Sequence, residues 1–266
     1  MVKDITLGQY YYSNSLIHKL DPRVKFICSL IFIVELFAFS SMANYLLMFA
    51  IIILVTILAK IPFLKLLKGI KAMWFIILVT TILNLFMNGG NVILAFGWLQ
   101  ITDYGVYRAI FMAARLSFLV LFSSLLTLTT TANDLTDAIE KLMRPLLKIK
   151  VPVYEIALMT SICLRFIPVL LDETTKIMKA QKSRGAMFDS GNVVVRLKSL
   201  GAIFLPLFVA AFRRSNDLAV AMESRCYRVG ASRSKMYPLV YHIYDVMIYL
   251  AMFVLFVFML WINLNF

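Results

Sequence analysis

The chain is poor in the residues that chemistry usually needs. Its 266 residues include three cysteines (Cys28, Cys163 and Cys226), none in a Cys-x-x-Cys pair, and two solitary histidines, His18 and His242. Neither set has metal-ligand spacing, so no metal site is expected. None of the ten glycines opens a Gly-x-x-x-x-Gly-Lys-Ser/Thr loop, which excludes a nucleotide-driven motor of that type within the chain. Clustered carboxylates and a nucleophile–base set are also missing, and Asp172-Glu173 is a lone acidic pair suited to a solvated face. No catalytic residue and no cofactor are therefore expected, and the chain does not read as an enzyme. Residues 1–23 are polar and aromatic, without the apolar core of a cleavable signal peptide.

What the chain has in abundance is apolar length. Hydrophobic residues make up 62% of it, with mean hydropathy +0.86, well above the roughly 45–50% of a soluble domain. The expected fold is an all-α integral membrane protein of about five spans, at residues 24–41, 44–59, 72–88, 104–131 and 243–264. Residues 132–238 then form a cytoplasmic region of one short and two long helices, giving a division 1–131, 132–238 and 239–266.

The formal net charge of +13 is distributed by side of the membrane. Lys3, Lys19, Arg23 and Lys25 precede or begin the first span, Lys60, Lys65, Lys68 and Lys71 follow the second, and seventeen basic residues lie in 133–238. The 40–44 turn, the 89–103 loop and the tail after Asp245 carry none. By the positive-inside rule the N-terminus is cytoplasmic and the C-terminus extracellular, in a cell membrane. The partner implied for the charge is the lipid bilayer, and no nucleic-acid partner is expected. The alternative is that the apolar runs 156–171 and 200–212 form a re-entrant or spanning pair, which gives seven spans.

Within 133–238 a helix starts near Asn133-Asp134, with a kink expected at Pro145 and a stop at Pro152. Two long helices follow, at about 153–184 and 194–225. Each has an apolar first half, an internal proline (Pro168, Pro206) expected to bend it, and a polar second half. Each ends on Ala-x-x-Ser-Arg, as Ala180 to Arg184 and Ala221 to Arg225. An arginine on such a tip offers a rigid fork of donors to a partner; equally, it complements the carbonyls of its own helix end. Two intramembrane charges, Glu35 and Arg115, each fall eleven residues into a span, about 16 Å deep. They are expected to pair, or to share a polar site with Asn84, as a structural tie, with Arg108 snorkelling to the headgroups.

At the paired pentads the sequence resembles the transmembrane T component (EcfT, or CbiQ in cobalt systems) of energy-coupling factor transporters, a subclass of ABC importers. Ser183-Arg184-Gly185 matches the first coupling motif; Ser224-Arg225-Cys226 departs from the second, because cysteine stands where glycine is usual. The N-terminal Ser15-x-x-His18-x-Leu20-Asp21-Pro22-Arg23-x-Lys25 also resembles the family's opening. The resemblance implies a coupling subunit that joins two cytosolic ABC ATPase subunits to a small membrane-embedded substrate-binding S component, for uptake of vitamins or other micronutrients. It implies that ATP is hydrolysed in those partners, that the two arginine motifs sit on the two ATPases, and that Phe166, Leu170, Phe204 and Phe208 belong to the surface gripping the S component. Two other readings compete. A stand-alone secondary transporter with a midplane polar site needs repeats and binding groups beyond Glu35, Asn84 and Arg115, and a membrane enzyme needs a catalytic set that is missing.

Overall fold

The computed structural model describes residues 10–39, 41–87, 92–96, 99–186, 193–230, 236 and 239–265. Over these it is helical: α1 (Pro22–Ala38), α2 (Met42–Ala59), α3 (Phe63–Met87), α4 (Asp103–Thr129), α5 (Ala132–Met143), α6 (Val153–Ser183), α7 (Val193–Ser224) and α8 (Ile243–Asn265). The exception is an antiparallel ribbon of β1 (Val92–Phe96) and β2 (Leu99–Thr102), paired from Val92↔Thr102 to Phe96↔Leu99 with an irregularity after Val92. The all-α membrane class holds; the ribbon lies where a loop is expected.

Two compact units divide the chain, one of Gly8–Ala138 with Leu239–Phe266 and the other centred on Ile139–Pro238. The first has its core on the inner faces of α1, α2, α4 and α8, with Phe32, Leu36, Met48 and Met259 fully buried. Phe32 stacks on Phe122 with ring centroids 4.0 Å apart, and Tyr45 meets Phe111 edge-on at 4.9 Å. Small residues let helices approach where bulk would not. A Cβ on Gly105 would stand 2.7 Å from the Leu85 carbonyl oxygen, so only glycine fits the start of α4 against α3. The outer surface is as apolar as the core, with Trp74, Leu250 and Phe253 more than half exposed, as lipid rather than water requires.

Among the described residues, five helices are long and apolar enough to cross a membrane: Met42–Ala59, Phe63–Phe86, Asp103–Thr129, Val153–Ser183 and Ile243–Leu264. Four correspond to expected spans. The first expected span, α1, has 17 residues, about 25 Å of helix, and falls just short of this measure. α6 meets it because its first half is largely apolar, with two charges, Glu155 and Arg165. α3 begins nine residues before the expected 72, so Lys65, Lys68 and Lys71 belong to its first turns rather than to a loop.

Thr131, rather than Asn133-Asp134, opens α5. Its Oγ1 accepts from the Asp134 amide at 3.2 Å and donates to the Asp134 carboxylate at 2.7 Å, which satisfies one orphan donor of the helix start. Pro145 does not merely kink this helix: the chain tightens to a 3₁₀ turn over Arg144–Ile149, because proline has no amide to continue the α-helical ladder. Pro168 and Pro206, by contrast, lie inside helices that run on past them for many residues.

Candidate functional site

Both arms end in the same geometry. After α6, Gly185 takes φ +87°, its amide donates to the Lys182 carbonyl at 3.0 Å and the Ala186 amide to Gln181 at 3.0 Å. After α7, Cys226 takes φ +56°, its amide donates to Glu223 at 2.9 Å and the Tyr227 amide to Met222 at 3.0 Å. These are two Schellman caps in the same register, with Arg184 and Arg225 each the last residue before the left-handed turn. Cysteine at the second tip therefore leaves the cap unchanged. It does carry the steric penalty of a Cβ in that region, on the order of 1 kcal/mol. Cys226→Gly is expected to stabilise this end by about 0.5–1 kcal/mol, net of the added freedom of the unfolded chain. The Cys226 and Tyr227 amides should then exchange hydrogen about two- to fivefold more slowly.

These caps satisfy the helix-end carbonyls from the backbone. The serines bond inward too, Ser183 Oγ to Lys179 O at 3.2 Å and Ser224 Oγ to Ala221 O at 3.0 Å. Both arginine side chains are exposed and have no hydrogen-bond or ion-pair partner among the described residues. Neither guanidinium is spent on its own helix end, so each keeps five donors for something else.

α6 and α7 lie against each other in antiparallel sense. Glu173 and Arg214 face each other at 3.5 Å, while Leu158, Ile162 and Arg165 of α6 line a hollow of about 510 Å³ together with Leu218, Met222 and Arg225 of α7. The end of α7 thus meets the beginning of α6. Arg184 is eleven residues past Glu173 and Arg225 eleven past Arg214, about 16 Å of helix each. The two tips therefore leave the crossing in opposing directions and stand on the order of 30 Å apart.

The apolar halves differ in exposure. Phe204 and Phe208 of α7 are 67% and 49% exposed and continue into Phe212, with ring centroids 6.0 and 4.8 Å apart along the stripe. Phe166 and Leu170 of α6 are half-buried. The stripe is thus an α7 feature.

Glu35 and Arg115 are not hydrogen-bonded to each other, while Arg115 and Asn84 line a shared hollow. Arg115 Nε donates to the Tyr45 hydroxyl at 2.8 Å, and its guanidinium lies 5.5 Å from the Phe37 ring. Asn84 bonds its own helix at the Thr80 carbonyl, 2.9 Å away. Asn84, Arg108 and Arg115 line one hollow of about 480 Å³ with Tyr104 and Tyr107, and Glu35 is not part of it. Both carboxylate oxygens of Glu35 are buried without a hydrogen-bond partner among the described residues. Equal depth in a membrane sets no direction around the helix axis: Glu35 turns into the core beside Leu36, and Arg115 toward α2.

The N-terminal motif is a clasp. Asp21 caps α1 by accepting from the Arg23 amide, and Arg23 returns Nη2 to Asp21 Oδ2 at 2.6 Å. The guanidinium lies 3.8 Å over the Tyr241 ring. The Asp21 amide donates to Asp245 Oδ1 at 3.1 Å and the His242 amide to Asp245 Oδ2 at 2.7 Å, so one buried carboxylate holds the starts of α1 and α8. Lys25 Nζ reaches the His18 and Thr129 carbonyls at 3.2 and 3.0 Å. His18 Nε2 can only donate to the Tyr11 carbonyl at 2.9 Å, so neutral His18 accepts from the Ser15 hydroxyl through Nδ1 at 2.6 Å. Burial, with the Lys25 charge acting in the same direction, holds this imidazole below its ordinary pKa despite the Tyr11 bond. The clasp thereby gathers the N-terminal ends of α1 and α8 and the C-terminal end of α4 at one face of the unit. Its second half, Tyr241 and Asp245, belongs to no motif; the signal available in sequence was a carboxylate three residues after the helix start at His242.

The profile of the CbiQ family, described as cobalt transport protein, matches residues 13–238. The energy-coupling factor transporter transmembrane protein EcfT of Clostridium kluyveri is 49% identical over 238 residues, 89% of this chain and 88% of its own. That of Ruminiclostridium cellulolyticum is 50% identical over 248 residues, 93% of each chain, and that of Acidaminococcus fermentans 46% over 264 residues, 98% of each.

Proposed function

Since the chain belongs to the EcfT/CbiQ family, the transmembrane components of energy-coupling factor transporters, we propose that its two arginine tips are the contacts for two cytosolic ABC ATPase subunits. The observation that supports this most is the matched pair of tips: same cap, same exposure, no partner among the described residues, and opposing directions from one crossing. A single partner would need only one tip. Two tips on the order of 30 Å apart suit two subunits whose approach and separation with ATP moves both ends of one lever pair.

In this reading residues 132–238 lie on the cytoplasmic side, where seventeen basic residues favour the inner face. The N-terminus is cytoplasmic and the C-terminus extracellular, in the plasma membrane. Although α6 is long and apolar enough to span, Arg165, Asp172, Glu173 and Lys176 along it favour a helix that lies at the surface and reaches into water. The exposed stripe of Phe204 and Phe208 on α7 is the main surface offered to the S component, and Phe166 and Leu170 of α6 extend it from the other side of the Glu173–Arg214 contact. Aromatic area without directional bonds lets that partner slide as it reorients. The cargo is a vitamin or another micronutrient, selected by the S component.

Purification of the tagged chain from its native membrane tests the assignment. Two ATPases and one small membrane protein are expected to come with it. Uptake by the chain alone in proteoliposomes, with no ATPase present, would overturn it.

A further inference from the structure

A second feature stands apart from the coupling tips. Between α1, α2, α4 and α8 lies a hollow of about 400 Å³, within the ~300–1,000 Å³ of small-ligand sites. Its walls are apolar, Cys28 among them, except for Lys25, Ser29 and Thr129 at one end. The two hydroxyls are already used: Ser29 donates to the Phe26 carbonyl at 2.7 Å and Thr129 to that of Leu125 at 2.8 Å. Lys25 is different. Two of its three ammonium donors go to the carbonyls of His18 and Thr129, and no carboxylate lies within ion-pair distance among the described residues. Asp134, Asp21 and Asp245 act on it only from beyond ion-pair distance, so a half-buried cation whose direct acceptors are neutral still gains from an anion in contact.

The hollow also has a way out. A shallower one of about 310 Å³, entirely apolar, runs on along the gap between α2 and α8. The two share Ile51, Leu54, Ala251 and Leu255. Leu54 is 57% exposed on the apolar outer surface, so the slot opens toward the bilayer.

We propose that this slot is a binding site for an anionic phospholipid, one acyl chain lying between α2 and α8 and the headgroup phosphate at Lys25. Free phosphate answers the charge and leaves the hydrocarbon walls unfilled. An alkane fills the walls and leaves the ammonium without an anion in contact. An amphiphile with an anionic head and an acyl tail answers both. In the proposed topology the Lys25 end faces the cytoplasmic leaflet, where anionic lipids concentrate. The site also touches the clasp directly through Lys25 and Thr129, so a bound lipid stiffens the junction of α1, α4 and α8.

The test uses the full-length chain in detergent, offered phosphatidylglycerol or phosphatidylcholine with identical acyl chains, with retained lipid counted by native mass spectrometry. One phosphatidylglycerol is expected to be kept, about tenfold in preference to phosphatidylcholine. Lys25→Gln should abolish that preference. Because Lys25 also serves the clasp, Ala251→Trp is the independent variant: Ala251 is exposed, makes none of the clasp's hydrogen bonds, and a large ring there closes the slot. It should lose retained lipid of both kinds while its thermal unfolding without lipid stays as in the wild type. Equal retention of the two lipids by the wild type, or undiminished phosphatidylglycerol in Ala251→Trp, overturns the proposal. So does a photo-crosslinker at position 251 that captures a protein rather than lipid in native membranes.

Discussion

The double variant Arg184→Glu with Arg225→Glu is expected to leave membranes folded, abundant and without ATPase subunits. Each guanidinium is exposed and makes no bond to the described residues, so removing it takes nothing from the fold beyond the usual ±0.5 kcal/mol of a surface change. Placing an anion at a helix C-terminus costs about another 0.3–1 kcal/mol per tip. At a partner surface the account differs. Losing one member of a hydrogen-bonded charge pair that is buried on association costs roughly 2–5 kcal/mol, and reversal adds repulsion. One tip at that level reduces affinity by about thirtyfold or more, and two tips together bring co-purified ATPase to background. ATP-dependent uptake falls with it. Each single variant should retain one ATPase contact and show partial loss, and Arg→Lys at either tip should sit between, because lysine keeps the charge and loses the planar fork. The checks are subunit yield after affinity purification, uptake, and thermal unfolding of the isolated chain. Full uptake by a stably folded double variant would refute the assigned role.

The legibility of the two arms in sequence has a physical basis. Ser183-Arg184-Gly185 announces its own end, since glycine is the residue that accepts φ +87° without cost, and α6 stops within one residue of the expected position. The second tip was harder to read, because cysteine is no usual marker of a left-handed turn. Its two backbone bonds, from Cys226 and Tyr227 to Glu223 and Met222, enforce the turn regardless of the side chain. Charge misled at α3. Lys65, Lys68 and Lys71 mark where the chain leaves the bilayer, and a helix does not have to end there when its amides are bonded internally. Lys65 even lies 3.9 Å over the Tyr11 ring. Depth misled at Glu35 and Arg115. Counting residues fixes height along a helix, whereas pairing depends on which side of the helix faces the neighbour, and that is set by core packing around Phe32 and Leu36. The clasp was half legible. Local bonds from Ser15 to Lys25 follow from spacing, but the Asp21–Asp245 contact joins residues 224 apart in sequence, and no local pattern encodes it.

Asp245→Ala is expected to destabilise the chain by about 2–5 kcal/mol. The side chain is 1% exposed and accepts from two backbone amides, those of Asp21 and His242. Its removal leaves both donors unsatisfied in a site that excludes water, at about 1–3 kcal/mol each. The larger part falls on α8, whose first turn loses the acceptor that reaches back to its cap. Asp245→Asn separates charge from geometry. The amide keeps one acceptor oxygen but turns its NH₂ toward a second backbone donor, so about half the loss should remain. Thermal unfolding of the purified chain measures the total. Limited trypsin digestion localises it, because Lys19, Arg23 and Lys25 lie within the clasp and should become cleavable when the start of α1 is released. A purely local cap would loosen α8 alone and leave those three sites protected. Release at both ends, from one carboxylate, is what a clasp requires: it fixes the first turns of α1 and α8 at one face of the unit, and with Lys25 on Thr129 it brings the last turn of α4 to the same level. An Asp245→Ala chain that unfolds within 0.5 kcal/mol of the wild type would reduce the motif to a surface turn.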